Sequence, residues 1–226
     1  MFLFSALFAS HASASPFSLD HWGFNINGDV YTGGFDRGYD PLPDSVGDSD
    51  FDWNTGIGSM TVSFDPGISG DYSVLAWFDH AVDGFYNSWF NEYGAVSGTP
   101  GPGLSWEIDE PGFAFGNAVS NLKSGSFDNT NGVYPAFPDD PSMGMGWDFT
   151  LKVGEKAEIT FLLGEETPDG FYLAHTDPDS QKTVYFSTTM GISGYSPAVP
   201  EPGTFMLLGA GVLGYAVFRK KSAGRI

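Results

Sequence analysis

The residues most able to do chemistry are carboxylates at short, regular spacing. Asp48, Asp50, Asp52 and Asn54 place an oxygen ligand at every second position, which is the raw material of a calcium site. As an EF-hand loop the run fails: Trp53 stands where the loop needs Gly, and Ser59 where it needs a bidentate Glu. Alternation with Phe51 and Trp53 also reads as a half-buried strand with a solvated acidic face. Glu107 and Asp109 form a second pair, with Glu110 beyond them. Side by side on one strand face, about 6.5 to 7 Å apart at Cα, they resemble the acid and the base or nucleophile of a glycosidase. The same pair, with Glu92 and Asp79, also fits calcium binding or a hydrogen-bonding role.

Histidine offers less. His11 falls in the amino-terminal leader, and His21, His80 and His175 lack the His-x-x-x-His or Glu-x-x-His spacing of a metal enzyme. Asp79-His80 could become a ligand pair once the chain folds, although a hydrogen-bonded structural histidine is the commoner outcome. Cysteine is absent, so thiol nucleophiles, thiolate metal sites and disulfides are excluded. No Gly-x-Ser-x-Gly elbow or Walker loop occurs. Among the six tryptophans, Trp106 and Trp147 sit in apolar alternation and read as core. Trp89, in the polar stretch Tyr86-Asn87-Ser88-Trp89-Phe90-Asn91, is the candidate glycan contact.

The elements that must position these residues are strands. Gly at 31, Pro at 15 and 37 aromatic residues in a 226-residue chain favour many short strands, many turns and an aromatic core. Trp147, Phe149 and Leu151 alternate, as do Ala157, Ile159, Phe161 and Leu163, which predicts a hairpin about Val153-Gly154-Glu155. Phe171 and Leu173 predict a second hairpin with Val184 and Phe186 across Asp177-Pro178-Asp179-Ser180. Ser59 to Phe64 and Tyr72 to Phe78 predict a strand pair across Asp65-Pro66-Gly67, and His21 to Tyr31 and Leu104 to Ile108 add strands. Eight to ten strands and no soluble helix predict an all-β, two-sheet sandwich over 15–192, with a jelly roll as one form of it.

Both ends read as addresses. Phe2 to Ala9 is apolar and Ala12-Ser13-Ala14 supplies an Ala-x-Ala site, so 1–14 is expected to be a signal peptide. No Lys or Arg precedes Arg37, which suggests a leader truncated at its start. At the other end, a short linker over 193–199 leads to Pro200-Glu201-Pro202, the apolar stretch Gly203 to Phe218, and Arg219-Lys220-Lys221. As a helix that stretch is about 24 Å long, slightly short of a bilayer core of about 30 Å. The basic cluster is a stop-transfer signal retained on the cytoplasmic side. Four of the nine basic residues lie in the last eight positions, which leaves five against all 28 acidic ones in the rest. So acidic a surface repels phosphate backbones and excludes nucleic acid as a partner.

Motif, apolar helix and basic end, in that order, resemble the PEP-CTERM sorting tail of Gram-negative bacteria, here over 200–226. The resemblance implies an exosortase, a membrane peptidase that cuts near Pro-Glu-Pro and removes the helix. The membrane contact through 203–218 is then transient, an inner-membrane anchor on the way to the cell surface or extracellular matrix. Trp77-Phe78-Asp79-His80, Phe90-Asn91-Glu92-Tyr93-Gly94, Ser105 to Gly112, Met145 to Phe149 and Phe171 to Ala174 resemble a group of secreted β-rich proteins that carry the same tail, without an assigned activity. The expectation is a non-enzymatic surface protein that binds calcium or exopolysaccharide. A glycan hydrolase using Glu107 and Asp109 is the alternative. An ice- or mineral-interacting protein comes last, because the flat Thr-rich repeat an ice face needs is absent.

Overall fold

The computed structural model describes residues 15–34, 38–84 and 89–194, with the side chains of residues 38, 39 and 89 excepted. The tail motif, the apolar stretch and the basic end therefore lie outside the described residues, as does the leader. Among the described residues no helix is long and apolar enough to cross a membrane.

The strands are β1 (Phe17–Ile26), β2 (Asp29–Gly34), β3 (Gly38–Tyr39), β4 (Val46–Asp52), β5 (Ile57–Phe64), β6 (Gly70–Val82), β7 (Tyr93–Ser97), β8 (Leu104–Asp109), β9 (Thr130–Asn131), β10 (Ser142–Leu151), β11 (Lys156–Gly164), β12 (Tyr172–Asp177) and β13 (Lys182–Ser193). They form a seven-stranded sheet in the order β3-β2-β1-β6-β10-β8-β9 and a six-stranded sheet in the order β4-β5-β11-β13-β12-β7. One core cluster draws on both sheets, with Phe24, Phe78 and Met145 from the first and Met60, Phe161 and Phe186 from the second. Phe78 meets Phe186 edge-on at 5.3 Å, and Phe24 meets Phe161 at 6.2 Å. The sheets are thus packed face to face, and their inward residues follow the period of two that strand geometry imposes.

Two expected hairpins are replaced by crossings between sheets. β10 pairs with β6 and β8, whereas β11 pairs with β5 and β13. β5 and β6 likewise lie in different sheets. Period-two alternation says which face of a strand is apolar; it does not say which neighbour the backbone bonds. Two strands joined by four or five residues can instead fold over one another and press their apolar faces together. Phe64 of β5 packs on Tyr72 of β6 at 5.8 Å and on Phe149 of β10 at 5.1 Å, across the core. The hairpin between β12 and β13 forms as expected, with Leu173 opposite Phe186. Asp177 holds its turn, accepting the backbone N–H of Asp179 at 3.0 Å and of Ser180 at 2.9 Å.

His21 to Tyr31 is two strands rather than one. Asn27 (φ 54°) and Gly28 (φ 92°) turn the chain between β1 and β2, the Asn-Gly signature of a tight hairpin. The expectation of no helix is also corrected: Ala118–Ser124 forms a seven-residue helix, α1, closed by Gly125 in the left-handed region (φ 84°). Ala118 and Leu122, four apart, are its buried face, packed with Leu75, Trp77 and Phe127 on the outer side of the first sheet. Two apolar residues are too few for a periodic signal. Gly23 and Gly144 of the sheet lie where a Cβ would strike Leu122 and Phe127 respectively, so their missing side chains admit this layer.

Candidate functional site

The acidic run at Asp48, Asp50 and Asp52 lies on β4, an edge strand with a bulge between Gly47 and Asp50. Phe51 is buried while Asp50 and Asp52 are exposed, as a half-covered strand requires. Asp48 accepts the Trp53 indole N–H at 2.8 Å. Asp52 accepts the backbone N–H of Asn54 at 2.9 Å, and that bond holds its carboxyl below the usual range. Among the described residues no group of three or more His, Asp or Glu is arranged to hold a metal ion.

Glu107 and Asp109 do share the outer face of β8, but the face is covered. Glu107 is fully buried. Its Oε2 accepts the Asn121 amide of α1 at 2.8 Å. The Asn117 amide, oriented to satisfy its neighbours, donates to Glu107 Oε1 at 2.6 Å and to Asp109 Oδ2 at 2.8 Å. The Asn117 backbone N–H adds a bond to Asp109 at 2.9 Å. Burial pushes the Glu107 carboxyl up to about 7, although the Asn121 bond pulls the other way. The sequence carried no sign of this shift, because burial depends on α1 arriving from elsewhere in the chain.

A larger group of titratable residues gathers at one end of the two sheets. Near its carboxyl end β6 carries Asp79 and His80, which point to opposite faces. Asp79 receives His21 Nδ1 from β1 at 3.0 Å. His80 is buried in the core with Nε2 bonded to the Gly56 carbonyl at 3.1 Å. From the second sheet, His175 of β12 meets Glu92 in a short hydrogen bond, and both are completely enclosed. Burial drives His175 and His80 down to about 4 and Glu92 up to about 9, the latter reinforced by Asp177, Asp79 and Asp20. Burial thus favours the uncharged form of each partner. The Nδ1 atoms of His80 and His175 have no hydrogen-bond partner among the described residues.

Next to this group lies a cavity of about 280 Å³ lined by Phe90, the loop from Glu110 to Phe115, Asp139 and Asp140. Asp139 is tied to the buried group through its backbone N–H, which donates to the Glu92 carbonyl at 3.0 Å. Burial pushes the Glu110 carboxyl up, and the neighbouring Asp139 and Asp109 carboxyls add to it. Asp140 is pushed up to about 8, first by burial and then by Asp79, Glu92 and Asp20. Asp20 rises to about 6, again mainly by burial. Phe90, Phe113 and Phe115 are 59, 50 and 71 % exposed.

Sequence reasoning singled out Asp79, Glu92 and Glu110 but missed Asp20, Asp139, Asp140 and Asp177. Asp139-Asp140 between Pro138 and Pro141, and two phenylalanines in the loop Pro111 to Gly116, were the available signals. Trp106 and Trp147 pack against the core as expected. The Trp89 side chain lies outside the described residues, although its backbone begins a single 3-10 turn, Trp89–Asn91.

A family model described as the PEP-CTERM protein-sorting motif matches residues 198–221. The match takes in Pro200, Glu201 and Pro202 together with Arg219, Lys220 and Lys221. The motif implies processing by an exosortase, a membrane enzyme, and marks a secreted protein with a C-terminal anchoring signal. No curated protein and no solved structure matches the chain.

Proposed function

We propose that this chain, which carries the PEP-CTERM protein-sorting motif at residues 198–221, is a non-enzymatic protein of the cell surface or extracellular matrix whose β domain holds matrix polysaccharide. The leader over 1–14 exports it. The stretch 203–218 enters the inner membrane and Arg219-Lys220-Lys221 halts it there. An exosortase then cuts near Pro200-Glu201-Pro202, leaving the domain over 15–192 as the working molecule.

The sorting motif carries this reading. The fold supports the rest of it: Glu107 and Asp109, the pair a glycosidase would need, lie beneath Asn117 and Asn121. A carboxyl raised to about 7 suits a general acid, but a fully buried one cannot reach a glycosidic oxygen. Open phenylalanine faces beside carboxyl groups, by contrast, suit contact with a sugar without reaction. A glycan array read together with reducing-sugar release separates the possibilities. Retention of a polysaccharide with no release is expected. Release that Glu107→Gln abolishes would replace this reading with the hydrolase.

A further inference from the structure

The cavity beside the buried acids has a composition that selects its ligand. Gly112 (φ 93°) and Gly116 (φ 73°) bend the loop after β8, leaving Phe115 mostly exposed and Phe113 half-exposed, with the Phe113 ring against His21 at 4.8 Å. Glu110, Asp139 and Asp140 face the same space, and among the described residues no Lys, Arg or His lines it. An anionic ligand is therefore excluded by charge. A neutral sugar would find acceptors, yet it would leave the mutual repulsion of the carboxyls untouched. An ammonium group relieves that repulsion, donates its N–H groups to the carboxylate oxygens and is attracted to aromatic faces. The volume, about 280 Å³, is at the small end for ligand pockets and suits one ring unit rather than a long chain segment.

We infer that this cavity binds an amine-bearing pyranose unit of a polysaccharide, with the ring against Phe113 and Phe115 and the ammonium against Glu110, Asp139 and Asp140. The inference rests on the proposal that the domain holds polysaccharide, and it names the class. It carries a proton signature: Asp140, held up near 8 by burial and by its acidic neighbours, is mostly protonated at pH 7, and an adjacent cation expels that proton.

The test is calorimetric titration of the full chain in detergent at pH 5.5, where the ligand amines and Asp140 both carry their protons before binding, in two buffers of different ionisation enthalpy. The probes are a glucosamine tetramer, an N-acetylglucosamine tetramer and spermidine. The glucosamine tetramer should bind about tenfold or more tighter than either of the others, with proton release. Phe115→Ala should weaken it about tenfold without moving Tm, since that ring is mostly exposed. Asp140→Asn should remove most of the proton release. Equal binding of the two tetramers would show that charge is not read, and equal binding of spermidine that the ring is not read; either overturns the inference. If the glucosamine tetramer does not bind while the array still retains a neutral polysaccharide, the inference fails and the proposed function stands. If nothing is retained, both fail.

Discussion

Two acidic regions of this molecule look alike on paper and behave differently in the fold. On β4, Asp48, Asp50 and Asp52 come from one segment at the spacing that draws the eye, and the strand sends Asp50 and Asp52 into solvent. At the end of the sheets, Asp20, Asp79, Glu92, Asp140 and Asp177 come from five separate segments without a shared pattern. Burial and mutual repulsion raise Asp20, Glu92 and Asp140, whereas a local backbone N–H lowers Asp52. The chemistry of a carboxyl is set by what covers it, and here the cover is tertiary.

Substitutions should separate the regions. The largest effect is expected from His175→Ala, which opens a cavity and strips Glu92 of its partner in a fully enclosed place. A loss of about 3 kcal/mol in urea unfolding at pH 6.5 is predicted; a loss too small to measure would mean the pair is not buried as described.

Second comes alkaline weakening. Glu92, Asp140 and Glu107 have folded pKa values of about 9, 8 and 7, above their ordinary values of 4.5, 3.8 and 4.5. Each binds its proton more tightly when folded, so its contribution is full below the ordinary value and is lost as pH climbs through the folded one. His80 and His175, lowered to about 4 from 6.5, act in the opposite sense but only below about 6.5. Tm should therefore fall steadily from pH 6.5 to 9, and Glu92→Gln with Asp140→Asn should flatten that fall. A Tm that rises over this interval would contradict the assignment.

Asn121→Ala should cost less, about 1 to 2 kcal/mol, and should raise the Glu107 titration further, because the lost amide bond holds it down. Carboxyl NMR would read that shift, and a lowered midpoint would refute it. The smallest effect is expected on β4. Asp48→Asn, Asp50→Asn and Asp52→Asn together should leave the urea midpoint where it was, in calcium and in EDTA alike, and a gap that appears only with calcium would restore a metal role there.

Much of this was legible in the residues. The strands of Trp147 to Leu163, the hairpin from Phe171 to Phe186 and the aromatic core follow from period-two alternation and turn chemistry, which are local. Pairing was not legible, since alternation in Phe64 and Phe149 fixes their inward direction and leaves their backbone partners open. The turn at Asn27-Gly28 was written plainly but sits inside an apolar run that reads as one strand. Glu107 and Asp109 were visible as a pair; that Asn117 and Asn121 cover them depends on a helix too short to announce itself. The buried acids could not be found by spacing, because no two of Asp20, Asp79, Glu92, Asp140 and Asp177 are close in sequence.

The account as a whole turns on the sandwich being released from its tail at the surface. Intact-mass spectrometry of protein recovered from the cell surface of an exosortase-bearing host tests this most directly. A carboxyl terminus at or next to Pro200-Glu201-Pro202, replaced by a form that keeps 203–218 when the exosortase is deleted, is the predicted result. A surface form that still carries 203–218 with the exosortase present would contradict it.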